Sequence, residues 1–366
     1  VRIVAAVAHA PGQAFELAEL ELDEPREDEI LVRIVAAGVC HTDLAFRDQP
    51  MGLALPAVLG HEGAGIVERV GAAIRKVAPG DKVLLTFRSC GGCARCVAHH
   101  PANCHHLMPM NFSGRRLDGS SAIARGRVSS NFFGQSSFAS HALAYERNVV
   151  KMPADADLAL YAPLGCGVQT GAGAVLRALD CRPGAAIAII GAGSVGLSAV
   201  LAARVRGCGP VIVIEPKASR RALALALGAT HAIDPFAQEV TAAVRGIVGM
   251  GVEYVVDASG VVPAIGAALG YLAPGGVLGL VGMAAEAAAA LPAPLNLLIG
   301  LGLSVKGIIE GDSEPDVFMP ELVRLHRAGV FGIERLVTTY PFAQINQAVA
   351  DQHAGSVVKA VLLMPA

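Results

Sequence analysis

The sequence predicts an α/β protein in which a doubly wound parallel sheet is carried between two β-rich segments of one chain. Three observations lead there. Residues 1 to about 160 are short apolar runs broken by Gly, Pro and Asp turns. From Ala185 the pattern becomes strand, glycine turn, helix and strand, repeated. From about residue 310 a mixed pattern returns and closes on the strand-like VVKAVLLM. Strands alternating with helices form βαβ units and so a parallel sheet, whereas short strands with frequent turns do not need crossover helices.

In chain order, VRIVAAVAHA reads as a first strand. It lacks the basic-then-apolar layout of a secretory leader, so a cytoplasmic location is expected. Ile30–Val35, Gly65–Val70 and Lys82–Thr86 read as strands, with turns such as Pro79-Gly80-Asp81 between them. Segment 88–135, rich in Gly, Ser, Arg, His and Asn, reads as loop. AAIAII then leads into GAGSVG, the helix LSAVLAARVRG and the strand VIVIE, with later strands at Tyr254–Val256 and Val277–Val281. The run Ala284–Ala290, broken only by Glu286, reads as a surface loop or short helix.

Composition narrows the function. At 366 residues, 53% apolar and 16% charged, the chain has material for two domain cores and none of the character of a disordered segment. A net charge of −2 provides no basic field for nucleic acid or anionic lipid. Pro183–Ala203 and Ala258–Ala285 carry no charge, but glycine and proline punctuate both. They read as strands buried under helices on both faces rather than as membrane spans.

Four of the eight cysteines follow the spacing Cys90-x2-Cys93-x2-Cys96-x7-Cys104. Four thiolates on one loop can surround a zinc ion tetrahedrally and leave no open position, which makes such a site structural. A reduced or redox-active cluster is the alternative. Cys40, His61 and Cys166 stand in GVCHTD, GHEGAG and PLGCGVQTG. Two thiolates and an imidazole would leave a fourth zinc position open, as catalysis requires. Their spacing alone does not establish that they converge, and a single cysteine is more often a small buried hydrophobe.

Gly191-Ala192-Gly193-Ser194-Val195-Gly196 has the strand before it and the helix after it that a dinucleotide-binding turn needs. The first glycine permits the turn, the second admits a pyrophosphate, and the third allows close helix–strand packing. Glu215, at the end of the next strand and 19 residues beyond Gly196, is placed to accept the ribose hydroxyls of NAD and to repel the extra phosphate of NADP. Lys217, Arg220 and Arg221 lie close to it in the chain.

Together these residues resemble the zinc-containing medium-chain dehydrogenase/reductase family, and within it the bacterial aryl (benzyl) alcohol dehydrogenases. GHEGAGIVERVG, the four-cysteine loop, GAGSVG and Glu215 carry the resemblance, which covers essentially the whole chain. It implies a GroES-like catalytic domain over 1–167, with a structural zinc lobe at 88–105, and a Rossmann domain over 168–309. The catalytic domain resumes over 310–366, and the active site lies in the cleft between domains. It implies Cys40, His61 and Cys166 as catalytic zinc ligands and Glu62 as an acid able to approach the metal. Asp43 would orient the His61 ring, and Thr42 would take the alcohol proton. Thr170 would pack beside the nicotinamide, with further coenzyme contacts at Ser194, Val195, Arg220 and Lys359. Phe132, Phe133, Met283 and Ile309 match substrate-pocket positions, an apolar lining suited to a benzyl-type alcohol.

The resemblance also implies two zinc ions and NAD as cofactors, a small alcohol or aldehyde as substrate, and a homodimer or homotetramer. Two departures from the liver-type members stand out. His41 replaces an arginine that touches the pyrophosphate, and Ala45 replaces the histidine that ends a proton relay. His41 could relay the proton or only bind the pyrophosphate. Glutathione-dependent formaldehyde dehydrogenases share every motif above. A non-catalytic dinucleotide-binding relative is the rival of another class, and zinc-free quinone reductases lack both cysteine sets.

Overall fold

The computed structural model describes residues 1–49, 51–123, 128–286 and 288–365. The chain forms two compact units. The first is Val1–Cys166, Glu314–Val323 and Glu334–Ala366; the second is Gly167–Ser313 and Arg324–Ile333. The second unit thus also takes a short stretch from the C-terminal part of the chain.

Strands of the first unit are β1 (Arg2–Ala8), β2 (Glu16–Glu21), β3 (Ile30–Gly38), β4 (Ala57–Val58), β5 (Glu62–Val70), β6 (Lys82–Leu85), β7 (His141–Ala144) and β8 (Val149–Lys151). The second unit contributes β9 (Ile187–Ile190), β10 (Val211–Ile214), β11 (His231–Ile233), β12 (Val252–Asp257), β13 (Leu272–Leu280) and β14 (Ser304–Gly307). The chain then returns to the first unit with β15 (Val337–Pro341) and β16 (Lys359–Leu363).

In the first unit a small sheet has the order β2-β1-β4, and a larger one runs β15-β16-β3-β5-β6-β8 with β7 also on β3. β3 is central. It pairs antiparallel with β5, β7 and β16, and Ile30, Leu31 and Val32 are wholly buried. Its alternation is therefore lost, as expected of a strand covered on both faces. The second unit is a parallel six-stranded sheet, β11-β10-β9-β12-β13-β14. Strand order reverses between β9 and β12, which opens a crevice at their C-terminal ends. Every residue of β9 and β10 is buried, which explains the uncharged run seen in the sequence. Among the described residues no helix is long and apolar enough to cross a membrane.

Segment 88–135 is more ordered than a loop. Helices Ala94–Val97 and Leu107–Phe112 lie within it, because backbone N–H groups wrap around the cysteine sulfurs and Asn111 caps the carbonyls of Leu107 and Arg88. Residues 124–127 of that segment lie outside the described residues, as does Ala287 of the alanine run. The rest of that run is irregular and mostly exposed.

A buried ion pair holds the edge of the first unit. Arg116 donates to both Glu29 oxygens, at 2.6 and 3.0 Å, and to Asp23 at 2.7 Å, with Arg116 4% and Glu29 1% exposed. Burial alone would raise the Glu29 carboxyl. The Arg116 guanidinium and the Arg26 N–H outweigh it and hold the group below its usual range. Arg116→Ala leaves that carboxylate buried and unpaired, and is expected to destabilise the protein by about 3–5 kcal/mol at pH 7 in denaturant unfolding. A lowered carboxyl contributes stability above the usual carboxylate range and loses it as pH falls. The gap between wild type and variant should therefore narrow as pH is lowered towards about 4. A gap independent of pH would show that Glu29 is not the group responsible.

Candidate active site

The site starts where β3 ends. The chain passes through Val39 and Cys40 into the helix His41–Asp48. Asp43, in the first turn, accepts the Cys40 N–H at 3.0 Å and the Gly60 N–H at 3.0 Å, and lies 2.7 Å from His61 Nδ1. One wholly buried carboxylate thus joins the helix start to the turn before β5. Gly60 makes that turn at φ +90°, and a Cβ there would lie 2.4 Å from the Phe138 nitrogen. Cys166 is brought in by the turn Ala162–Gly165, whose last carbonyl accepts the Thr86 hydroxyl at 2.6 Å.

The hydrogen bond between Nδ1 and the Asp43 carboxylate turns His61 Nε2 inward. That nitrogen is buried and has no hydrogen-bond partner. One ligand atom each from Cys40, His61, Glu62 and Cys166 lie within 4.8 Å of one another, all buried. An orphaned imidazole nitrogen in a dry site costs about 1–3 kcal/mol unless a cation meets it. Two thiols and an imidazole are the donor set zinc prefers. The Cys40 thiol is pulled well down, first by the Cys166 thiol and then by Lys359 and His61. Burial opposes charge on His61, but Asp43 and Cys40 raise it well above its usual value.

Lys359 lies behind this group, against Glu62. It is 1% exposed, and its ammonium donates to both Glu62 oxygens at 2.8 Å and to the Val39 carbonyl at 2.9 Å. Those bonds use all three of its donors. Burial raises Glu62 to about 7 despite Lys359, whose own ammonium the carboxylate keeps charged. Gly38 makes room for the pair, since a Cβ there would lie 1.9 Å from Glu62 Oε2.

Aromatic rings cover the imidazole. Phe133 stacks on His61 at 4.3 Å and Phe132 meets it edge-on at 5.6 Å. Phe46 and Phe112, neither singled out from sequence, complete the layer against Phe132 and Phe133 at 5.0 and 5.1 Å. Asn131, Phe133 and Ser136 have left-handed backbones, with φ of 61°, 54° and 60°. Side chains hold that shape: Asn148 donates to the Phe133 and Gly134 carbonyls, and Ser136 Oγ bonds Phe132 N–H and the Val58 carbonyl. Gln135, also not anticipated, donates to the His61 and Thr86 carbonyls at 2.9 and 3.1 Å.

Thr42 Oγ1 lies 3.8 Å from Cys40 Sγ. His41 is exposed at the first helical position and lines a cavity of about 470 Å³ with Leu44, Ala45, Arg47 and His353. Met283 and Ile309 belong to the second unit, so the four expected pocket residues are divided between units.

The four-cysteine loop forms a second metal group. Its sulfurs lie 3.9 Å (Cys90–Cys96), 3.6 Å (Cys93–Cys96) and 3.9 Å (Cys93–Cys104) apart. A tetrahedron with Zn–S bonds of about 2.3 Å has edges of about 3.8 Å. Backbone N–H donors from Cys96 and His105 draw Cys93 down to about 5, while burial pushes Cys104 up to about 12.

In the second unit Gly191 follows the end of β9 with φ +89°, and Gly193 caps the helix Ser194–Arg206. A Cβ on Gly196 would lie 1.8 Å from the Gly191 carbonyl oxygen, so no other residue fits there without a shift. Glu215 is pinned by the N–H groups of Ala192 and Lys217, at 2.7 and 2.8 Å. With Gly191, Gly193, Phe236, Ser259 and Tyr271 it lines a cavity of about 490 Å³ at the sheet's switch point. Arg220 donates to the Ala192 carbonyl at 3.1 Å. Thr170 lies in the helix Gly167–Gly173, with Oγ1 3.5 Å from the buried Glu310 carboxylate.

Comparison with known proteins agrees with this construction. A model of the alcohol dehydrogenase GroES-like domain matches residues 26–154, and a zinc-binding dehydrogenase model matches 194–326. The chain is 47% identical over 363 residues to the geraniol dehydrogenase of Castellaniella defragrans, covering 98% of this chain and 97% of the relative. A crystal structure of a benzyl alcohol dehydrogenase from Acinetobacter calcoaceticus superposes with a TM-score of 0.97 at 40% identity, over the full length of both chains. An alcohol dehydrogenase zinc-binding domain protein from Burkholderia ambifaria gives 0.97 at 46%, again over both full lengths. The chain belongs to the zinc-containing alcohol dehydrogenases of the medium-chain dehydrogenase/reductase family. Its cofactors are zinc and NAD, and it acts on a small-molecule alcohol or aldehyde.

Asp43→Asn tests the carboxylate beneath the imidazole. The amide can no longer satisfy the Cys40 and Gly60 N–H groups and the ring together, so zinc retention against a chelator should weaken about 10- to 100-fold. Unchanged zinc release in a folded variant would mean that Asp43 does not position His61.

Proposed function

We propose that this protein interconverts a benzyl-type primary alcohol and its aldehyde with NAD. In this reading Cys40, His61 and Cys166 hold the catalytic zinc with Glu62 beside them, and Cys90, Cys93, Cys96 and Cys104 hold a structural zinc. The bound zinc supplies Lewis-acid polarisation of an alcohol oxygen, and NAD accepts the hydride. Asp43 fixes the His61 ring so that Nε2 faces the metal. Thr42, two residues beyond Cys40, takes the alcohol proton. With Ala45 unable to relay it, His41 is exposed where it can pass the proton outward or donate to the pyrophosphate. Gly191, Gly193, Ser194, Val195 and Gly196 hold the pyrophosphate, with Arg220 beside them, and Thr170 packs against the nicotinamide. The same reading makes the protein a cytoplasmic homo-oligomer, which light scattering of the purified protein checks.

The observation that carries the substrate class is the aromatic layer of Phe46, Phe112, Phe132 and Phe133 over His61. Removing a phenyl ring from water against such a lining is worth about 2–3 kcal/mol, or about 30- to 150-fold. Benzyl alcohol should therefore exceed ethanol in kcat/KM by about that factor when NADH formation is followed with zinc-loaded protein. Geraniol and S-hydroxymethylglutathione belong in the same panel. Preference for ethanol or for the glutathione adduct would sink the benzyl reading.

Coenzyme choice follows from Glu215. Its pinned carboxylate accepts ribose hydroxyls and repels a phosphate, so NAD should be favoured over NADP by at least about tenfold in kcat/KM, about 1.4 kcal/mol. Glu215→Gln should narrow that ratio. Equal use of both coenzymes by the wild type would remove this role from Glu215.

A further inference from the structure

Two cysteines belong to neither metal group. Cys181 follows the helical stretch Gly167–Gly173 and its continuation Ala174–Ala178; Cys208 follows the left-handed cap Gly207 of the helix Ser194–Arg206. Their segments run side by side, with the Gly184 N–H donating to the Gly207 carbonyl at 2.8 Å and the Gly209 N–H to the Ala185 carbonyl at 2.9 Å. Each cysteine is also fixed by its own N–H, Cys181 on the Val175 carbonyl at 3.0 Å and Cys208 on the Ala203 carbonyl at 2.9 Å. The Cys208 thiol reaches the carbonyl of Arg182, the residue next to Cys181, at 3.8 Å. Cys181 is wholly buried and Cys208 only partly, so one sulfur is sheltered and the other can be reached. The Arg206 guanidinium, held by Asp180 and by the Leu176 carbonyl at 2.8 Å each, acts on both sulfurs.

We propose that Cys181 and Cys208 are a reversible thiol–disulfide pair oxidised by hydroperoxides, with Cys208 attacking and Cys181 resolving. The charge distribution favours that order. Cys208 is lowered, first by the neighbouring Cys181 thiol and then, against burial, by Arg206. Cys181 is raised, first by Cys208 and then by burial. The thiolate is the nucleophile, and the partly exposed sulfur is the one that carries it. Cys208 Sγ attacks the hydroperoxide, the O–O bond breaks, and a sulfenic acid and an alkoxide form. The alkoxide takes the Cys181 proton and leaves as alcohol. The Cys181 thiolate then attacks the Cys208 sulfur, the S–O bond breaks, and hydroxide leaves as water with the proton Cys208 first gave up. Two thiols and one hydroperoxide thus become one disulfide, one alcohol and one water. The sulfurs lose two electrons and the O–O bond gains them.

The experiment uses zinc-loaded holoprotein treated with stoichiometric tert-butyl hydroperoxide, then mapped without reduction by mass spectrometry, with zinc measured in parallel. The expected product is one cross-linked peptide pair joining Cys181 to Cys208, two hydrogens lighter than the thiols, with zinc retained and dithiothreitol reversing the change. Cys208→Ser should give no cross-link and leave Cys181 reduced. Cys181→Ser should stop at a Cys208 sulfenic acid that dimedone traps. Loss of zinc while both thiols stay reduced would overturn the proposal, as would conversion of wild-type Cys208 to sulfinic acid without a cross-link. None of these readings depends on which alcohol is the substrate.

Discussion

A carboxylate, an imidazole and a lone pair set the terms for the first unit. Asp43 can satisfy the Cys40 and Gly60 N–H groups and still face His61 only if the helix His41–Asp48 and the turn before β5 are in contact. That contact directs His61 Nε2 into a space where no protein group answers it. The surrounding structure is arranged around this deficit. β3 and β5 pair in register from Ile30–Val70 to Gly38–Glu62, which brings Gly38 against Glu62 at the site. Lys359 on β16 then neutralises the acid from behind. Two segments far apart in sequence, those of Glu62 and Lys359, meet because each meets the short stretch of backbone at Gly38 and Val39.

The features legible in the sequence were the local ones. The four-cysteine spacing, the glycine turn between strand and helix, and the apolar runs of β9 and β10 each lie within one continuous stretch, where residue order and geometry are nearly the same thing. The meeting of Cys40 with His61 and Cys166 was not of this kind. It could be anticipated through family resemblance but not through spacing, because it is made by sheet pairing and by the turn Ala162–Gly165. Phe46 and Phe112 carry no local mark in the sequence; only the path of the chain brings their rings to Phe132 and Phe133. Gln135 was invisible for the same reason, since its partners are backbone carbonyls 49 and 74 residues away. Nothing local in the sequence shows that the Lys359 ammonium meets Glu62 and Val39, since its partners lie 297 and 320 residues away.

The second unit obeys a different economy. Its site is made almost wholly by backbone. Gly191 supplies the left-handed turn, Gly196 the close approach of helix to strand, and the N–H groups of Ala192 and Lys217 fix the Glu215 carboxylate. Such a site depends on the absence of side chains at a few positions, and on strand order, more than on the identity of the residues around it. The first unit is the opposite case: its backbone is strained at Asn131, Phe133 and Ser136, and side chains hold it there.

The sulfur tetrahedron has a thermodynamic consequence. A cross-link made through a dissociable ion has a strength set by the ion's chemical potential in the surroundings. Where free zinc stands at about a hundred times the dissociation constant, the ion contributes about 2.7 kcal/mol to the folded state, and each tenfold fall in free zinc removes about 1.4 kcal/mol. The lobe around Cys90, Cys93, Cys96 and Cys104 is therefore a mass-action element. Its persistence is a property shared between the chain and the metal supply in which it is made.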